Sequence, residues 1–357
     1  MKRKIFGNIK ILKFFDQRKL GSLPRILLSS VLLIFFFYSA PLLINLSNER
    51  SLEFQNNSKK ILAYTLNNGT GGVDENNEVL NENELLRDIF SLNDLETDTV
   101  RLNASTIKQL FEDTNYSLKD VREKKLVKPV ALTLLPAEIK MIENTKQRKE
   151  FFIQIVLPLI LQENNNIKLD RKRLFSIINK SNNTNLEKKW LQKKYKQYGV
   201  SSKDLSTLKI RMDEIPVSLA IAQAAKETGW GTSRFAQEGN ALFGQWTWSG
   251  EGLKPKDADK NQGHKVMKFN VLQASVRAYQ RNLNTHSSYK NLRRARAELR
   301  DKGKSIDSLI LVKYLNEYAE TGEKYVEVLT QIIKQNNLKD FDDAKLLPSS
   351  IELESLI

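Results

Sequence analysis

The sequence predicts a mainly α-helical protein. Apolar residues recur with helical spacing in several segments after about residue 128, and strand-like alternation is confined to one region near residue 265. Hydrophobic residues make up 40% of the 357 residues, which is enough for a buried core. The sequence has no cysteine and two histidines, so disulfides and thiolate metal sites are excluded and a histidine-rich zinc site is disfavoured. We therefore predict no metal site, and the sequence implies no organic cofactor.

The N-terminal 46 residues predict a membrane anchor. Residues 1–25 are a basic tail, and residues 26–46 form an apolar run of the length that spans a bilayer. By the positive-inside rule, the tail is predicted to be cytoplasmic and everything after Leu46 to lie outside. A cleaved signal peptide ending near Ala40 is the alternative interpretation.

The net charge of +15 would suit nucleic acid, anionic lipid or an acidic polymer as a partner. About half of the excess belongs to the N-terminal tail, where a topology signal explains it, so nucleic acid is not predicted as a partner. The lysine cluster at residues 188–196 is interpreted as a solvated helix face, with contact to an anionic polymer as the alternative.

Composition and periodicity divide the rest of the chain. Residues 47–100 are polar and Asn-rich, which predicts a poorly ordered tether with a short helix near residues 84–92. Residues 101–198 are predicted as a helical extension, 199–338 as the main domain and 339–357 as a loosely ordered tail. The predicted helices cover residues 149–161, where Pro158 is expected to kink or restart the helix, 170–180, 186–198, 217–227, 271–284, 292–302, 305–315 and 325–335. Residues 247–269 predict a loop or short β-hairpin.

Glu227 is the candidate catalytic residue. It lies at the end of the apolar helix that starts after Pro216, and Gly229 and Gly231 end that helix. The negative end of the helix dipole and the apolar neighbours both disfavour a carboxylate, so its pKa is expected to rise. A carboxyl that stays protonated near neutral pH can act as a general acid, as in glycosidases. A structural helix-end role is the alternative interpretation.

Aromatic residues follow Glu227 closely. Sugar rings pack their C–H faces on aromatic rings, while their hydroxyls need polar partners. Phe235 and Phe243 are assigned to the core, and Trp246 and Trp248 to the floor of a sugar subsite. The remaining candidates for substrate binding are Trp230, Asn240 and Gln245.

These residues carry a resemblance to a known family. The segments QAAKETGWGTSRFA at 223–236 and NALFG at 240–244 resemble the peptidoglycan β-N-acetylglucosaminidases of glycoside hydrolase family 73. The segments NLNTHSSY at 282–289 and YAETGEKY at 318–325 are similar to the Bax branch of bacterial proteins in that family. The similarity covers roughly residues 128–338, and Ala241 departs from the family pattern, in which a second Asn is frequent.

The resemblance implies a lysozyme-like, two-lobed glucosaminidase domain with a small loop or hairpin lobe. It also implies that Glu227 is the general acid and that Tyr318 and Tyr325 line the cleft. The expected function is an endo-β-N-acetylglucosaminidase that cuts peptidoglycan glycan strands. With the predicted anchor, the domain would be held in the periplasm by a single pass through the bacterial inner membrane. The alternatives are a lytic transglycosylase, a peptidoglycan amidase and a catalytically silent wall-binding module.

The second catalytic group is left open by the sequence. Glycosidases commonly use two carboxylates, and Glu251, Asp257 and Asp259 lie in the predicted hairpin region. Asp257 and Asp259 are the candidates we carry forward, and a substrate N-acetyl group oriented by a tyrosine is the alternative. His286 is interpreted as a packed, hydrogen-bonded residue.

Overall fold

The computed structural model describes residues 86–89, 100–201, 204–247, 252–254, 265–319 and 321–348. The predicted basic tail, the predicted anchor at 26–46 and most of the predicted tether lie outside these residues. Within the described part of the chain, no helix combines the length and the apolarity needed to cross a membrane.

The described residues are mainly helical, as the sequence predicts. Helices α1 to α11 are Ala104–Asp113, Leu118–Lys124, Thr145–Ile178, Asn185–Gln197, Leu205–Arg211, Val217–Thr228, Arg234–Gly239, Leu272–Thr285, Lys290–Asp301, Ser308–Leu311 and Glu323–Gln335. Single 3-10 turns are Ala137–Met141, Ser287–Tyr289, Val312–Tyr314 and Leu338–Phe341. Strands β1 to β5 are Leu126–Val127, Trp246–Thr247, Gly252–Leu253, Lys265–Met267 and Lys345–Leu346. The helices predicted at 186–198, 217–227, 271–284, 292–302 and 325–335 are confirmed, and the one predicted at 305–315 is α10 followed by a 3-10 turn.

Helix α3 is a continuous helix of 34 residues that passes through Pro158. The predictions of a restart at Pro158 and of a separate helix at 170–180 are therefore wrong. A proline cannot donate to the carbonyl four residues earlier, which here belongs to Gln154. That carbonyl accepts from Tyr116 Oη at 3.0 Å instead, and Gln154 Nε2 donates to Tyr116 O at 3.1 Å. The loop between α1 and α2 thus replaces the hydrogen bond that the proline removes.

Helix α6 carries Glu227 and is largely enclosed by the main core. It packs on α3, α11 and the 3-10 turn Leu338–Phe341. Its buried residues are mostly small or branched apolar side chains, which allow neighbouring helices to approach closely. Gly229 ends the helix in a left-handed conformation with φ +57°. Packing around most of α6 gives the last turn, with Glu227, a fixed position.

The C-terminal segment is ordered further than the sequence predicts. Leu338 and Phe341 are fully buried, and β5 pairs in parallel with β1 from the start of the described domain. Asp342 also accepts two hydrogen bonds from Ser218 in the first turn of α6. The prediction of a loosely ordered tail is therefore wrong for residues 339–348.

A three-stranded antiparallel sheet has the strand order β2-β4-β3 and occupies the region predicted as a loop or hairpin. Residues 86–89 form a helical turn that packs behind it. Ile89 is fully buried beside Met267 and Phe269, and Arg281 forms an ion pair with Asp88 at 2.9 Å. This part of the predicted tether is thus docked on the domain, and the helix predicted near residues 84–92 is confirmed for this turn.

The lysines of α4 divide into two groups. Lys188, Lys189, Lys193 and Lys196 are exposed, as predicted for a solvated helix face. Lys194 is buried instead, where it forms an ion pair with Asp170. For this lysine the prediction is wrong.

Candidate active site

Glu227 is half-buried in the last turn of α6. Burial raises its pKa, and this effect outweighs the hydrogen bond from Tyr325 and the charge of Lys226, which both lower it. The carboxyl therefore keeps its proton to a higher pH than an exposed glutamate does. This environment suits a general acid.

The two oxygens of Glu227 have different surroundings. Tyr325 Oη donates to Oε1 at 2.8 Å. Oε2 faces Gly244, which has φ +60°, and a Cβ added to that glycine would lie 3.3 Å from Oε2. One oxygen is therefore held by a tyrosine, while the other lies beside a residue without a side chain.

A buried chain of hydrogen bonds leads to Glu227. Tyr279 Oη donates to Gln223 Oε1 at 2.7 Å, and Gln223 Nε2 donates to Tyr325 Oη at 3.2 Å. Tyr279 and Gln223 are fully buried, and Tyr325 is 2% exposed. The chain joins α8, α6 and α11 behind the carboxyl group.

Stacked aromatic rings hold this arrangement. Tyr318 lies parallel to Tyr325 with ring centroids 5.5 Å apart, and Tyr318 Oη donates to Phe243 O at 2.9 Å. Phe243 in turn stacks on Tyr279 at 3.8 Å. Burial raises the pKa of Tyr318 and of Tyr325 above the ordinary tyrosine value, so both hydroxyls stay protonated near neutral pH. The two tyrosines that the resemblance implicates thus lie at Glu227.

Comparisons with known proteins bear on the family of the chain. Residues 202–338 match the family model described as "Glucosaminidase: Mannosyl-glycoprotein endo-beta-N-acetylglucosaminidase". Protein bax of Escherichia coli (strain K12) is 29% identical over 205 residues, which cover 56% of this chain and 73% of that protein. These matches support a Bax-type glucosaminidase family protein.

A solved structure also matches about half of this chain. The catalytic domain of the autolysin Auto from Listeria monocytogenes is 18% identical and covers 51% of this chain and 97% of that domain. The TM-score is 0.26, which is too low to establish a common fold.

Two other residues predicted to bind substrate, Trp230 and Asn240, contact neighbouring parts of the fold. Trp230 adopts a left-handed φ of +61° and packs edge-on against Phe152 of α3 at 6.0 Å. Lys149 Nζ lies 4.9 Å from the centre of the Trp230 ring. Asn240 is 6% exposed, and its Nδ2 donates to Phe269 O at 2.8 Å. Asn240 therefore ties the end of α7 to the chain after β4, and its amide does not lie on an open surface.

The remaining predicted residues lie at or beyond the edge of the described region. Gln245 O accepts from Met267 N at 2.8 Å, which joins it to β4. Trp246 is in β2, the neighbouring strand. The other predicted residues, Trp248, Glu251, Asp257 and Asp259, lie outside the described residues.

The two phenylalanines that the sequence assigns to the core have different outcomes. Phe243 is 1% exposed, so its assignment to the core is confirmed. Phe235 is half-buried under the Arg234 guanidinium, 4.9 Å from the ring centre, so its assignment to the core is wrong. His286 Nδ1 accepts from Ser288 N at 3.3 Å, so the predicted hydrogen bond is present, but the side chain is exposed, so the prediction that it is packed is wrong. Among the described residues, no group of three histidine or acidic side chains is clustered as a metal site.

The roles of Gln223 and Tyr279 were not predicted from the sequence. Gln223 belongs to the motif that carries the resemblance, but the sequence gives its side chain no partner. A signal was present in both cases, since a glutamine on an otherwise apolar helix and a tyrosine inside a buried one must each find a hydrogen-bond partner. What the sequence does not show is that the two partners are each other.

Proposed function

We propose that this glucosaminidase is an endo-β-N-acetylglucosaminidase of peptidoglycan and that Glu227 is its general acid. The observation that carries the proposal is the asymmetry of the Glu227 carboxyl. Oε1 accepts from Tyr325, burial raises the pKa of the carboxyl, and Oε2 lies beside Gly244, which has no side chain. The glucosaminidase family model that residues 202–338 match supports the reaction class.

The chemistry follows from this geometry. Glu227 transfers its proton to the glycosidic oxygen while the bond from that oxygen to the anomeric carbon breaks, and the bonding electrons go to the leaving oxygen. Water then adds to the anomeric carbon, and the proton that it loses returns to the Glu227 carboxylate, either directly or through the second catalytic group. The stacked Tyr318 and Tyr325 keep the carboxyl in one orientation during these steps.

The second catalytic group is assigned by variants. Asp257→Asn and Asp259→Asn separate the two candidate carboxylates, and a carboxylate that acts as base or nucleophile should lose at least about 100-fold in kcat when neutralised. If both variants keep their activity, the N-acetyl group of the substrate takes this part.

We further propose that residues 26–46 anchor the protein in the bacterial inner membrane with the catalytic domain in the periplasm, where the polymer lies. The support is the apolar run and the basic residues before it. Fractionation of cells should recover the full-length chain with the membranes. A soluble mature chain that begins near Ala40 would contradict the anchor.

Digestion of purified sacculi tests the activity. Full-length protein is incubated with sacculi, and the new ends are identified by mass spectrometry. Reducing N-acetylglucosamine ends are expected, and Glu227→Gln should produce none. Anhydro-muramic ends would indicate a lytic transglycosylase, and free stem peptides an amidase. Binding without any product would indicate a silent wall-binding module.

A further inference from the structure

We propose that Gln223 and Tyr279 are positioning residues that make Oε2 the oxygen from which Glu227 gives up its proton. The inference rests on the proposed function, in which Glu227 is the general acid. Tyr279 donates to Gln223, Gln223 donates to Tyr325, and Tyr325 donates to the Glu227 carboxyl. Gln223 and Tyr279 therefore act on the carboxyl through Tyr325.

The lengths of the hydrogen bonds indicate how the Gln223 amide is oriented. The distance is 2.7 Å between Tyr279 Oη and Gln223 Oε1, and 3.2 Å between Gln223 Nε2 and Tyr325 Oη. Hydrogen bonds between a hydroxyl and an oxygen are shorter than those from an N–H donor. The lengths therefore fit an amide with its oxygen toward Tyr279 and its nitrogen toward Tyr325.

This orientation fixes the hydroxyl of Tyr325. An amide N–H cannot accept a hydrogen bond, so the single proton of Tyr325 is directed at Glu227 Oε1. Oε1 must then act as an acceptor, and a protonated Glu227 carries its own proton on Oε2. Oε2 is the oxygen beside Gly244, which has no side chain. If the Gln223 amide were reversed, Tyr325 would donate to it, and the acidic proton could be drawn to Oε1, away from the substrate.

The hydrogen-bonded chain of Tyr279, Gln223 and Tyr325 is buried, so few other groups can change the titration of Glu227. Gln223 and Tyr279 are both fully buried, so water does not replace a partner that is removed. The titratable groups that face Glu227 are Lys226 on its own helix, Tyr325 on α11, and Tyr318 and Tyr289. Burial raises the pKa of Tyr289 to about 12, and the charge of Lys226 lowers the pKa of Glu227 in every variant that keeps this lysine. A change in the titration of Glu227 on loss of the Tyr279 hydroxyl would therefore be transmitted by Gln223 and Tyr325.

The test titrates Glu227 directly. The full-length protein is labelled with carboxyl-¹³C glutamate, and the Glu227 signal is identified by its loss in Glu227→Gln. Because the Tyr325 hydrogen bond stabilises the carboxylate, weakening it should move the midpoint of Glu227 upward. We expect a rise of about 0.5 pH unit in Tyr279→Phe and a larger one in Tyr325→Phe.

Tyr116→Phe is the matched control. Tyr116 is also buried, and its hydroxyl also makes one hydrogen bond, but to Gln154 O in α3. Tyr116→Phe should leave the midpoint unchanged while it costs a similar stability. Gln223→Met breaks the same chain from the other side and should act like Tyr279→Phe, so a folding failure in either variant leaves the other as the test.

Kinetics supply the second measurement. Tyr279→Phe should lower kcat on sacculi about tenfold, change KM less than twofold and move the basic limb of the pH profile upward with the midpoint. If Tyr279→Phe and Gln223→Met both behave like Tyr116→Phe, the positioning role is overturned. If Glu227→Gln keeps full turnover, the proposed function fails instead. The titration then still decides whether Tyr279 and Gln223 act on Glu227 through Tyr325.

Discussion

A half-buried carboxylate lies at each end of helix α6, and the two are held in different ways. At its N-terminus, Asp342 Oδ1 accepts from Ser218 N and Oδ2 from Ser218 Oγ, both at 2.8 Å. At its C-terminus, Glu227 Oε1 accepts from Tyr325, while Oε2 faces Gly244. Burial raises the pKa of both groups, that of Asp342 to about 6. A raised pKa therefore does not distinguish the two carboxylates, whereas their hydrogen-bond donors do.

The helix dipole strengthens the contrast. Its positive end favours the Asp342 carboxylate and its negative end disfavours the Glu227 carboxylate, each by about 0.3–1 kcal/mol. Asp342 thus ties the C-terminal segment to the start of the helix. Glu227 is held at the opposite end in the environment that favours a protonated carboxyl.

The largest difference is expected in turnover. Glu227→Gln keeps the size and the acceptor for Tyr325 but has no acidic proton, so kcat on sacculi should fall at least about 100-fold. Asp342→Asn should keep turnover within about twofold, since Asp342 lies at the far end of the helix and does not contact the substrate. Both variants are assayed by release of soluble glycan. A similar loss in both would mean that the helix, and not the Glu227 carboxyl, is what matters.

Two glycines provide a test of whether the substrate lies at Glu227 Oε2. Gly244 and Gly303 have φ of +60° and +65°, so alanine at either should cost about 1–2 kcal/mol of stability through backbone strain. Only at Gly244 does the new Cβ approach Glu227 Oε2, since nothing lies within 4 Å of it at Gly303. Gly244→Ala should therefore lower kcat/KM about tenfold at equal stability loss, while Gly303→Ala should not. Thermal unfolding and glycan release measure the two effects, and equal activities would contradict a substrate at Oε2.

The sequence predicts the local parts of this comparison and misses the distant ones. The helix ending at Gly229 and the position of Glu227 follow from periodicity and turn residues, and the resemblance adds Tyr318 and Tyr325. The pairing of Gln223 with Tyr279 and of Ser218 with Asp342 joins residues far apart in the chain. The same holds for Tyr116, which lets α3 continue through Pro158. Periodicity reports which face of a helix is buried, but not which polar group it meets there.

A third carboxylate, that of Asp88, has an arginine partner, and its pKa shifts in the opposite direction. Burial of Asp88 raises its pKa, whereas the charge and hydrogen bond of Arg281 and the charge of Arg277 lower it. The arginines have the larger effect, so the net shift is downward from 3.8. Asp88→Asn should cost about 2 kcal/mol at neutral pH, because it removes the carboxylate from the Arg281–Asp88 ion pair. A lowered pKa gives stability that is present above pH 3.8 and is lost as the pH falls through the folded value. The difference between wild type and Asp88→Asn in urea unfolding should thus shrink below about pH 4, and turnover at neutral pH should change little. A constant difference would mean that packing, and not charge, holds residues 86–89.

The smallest effect is a difference in pH slope at Asp342, and its sign is opposite. The pKa of Asp342 is raised from 3.8 to about 6, so the folded protein binds a proton there more tightly than the unfolded chain does. This stability is fully present below pH 3.8 and is lost as the pH rises through 6. Urea unfolding at pH 4 to 7 should therefore show wild type gaining stability relative to Asp342→Asn as the pH falls. Glu227 titrates in both proteins and cancels in the difference, so the slope reports Asp342 alone. Parallel curves would show that the hydrogen bonds from Ser218 offset the burial of Asp342, and the two ends of α6 would then differ in pKa as well as in their donors.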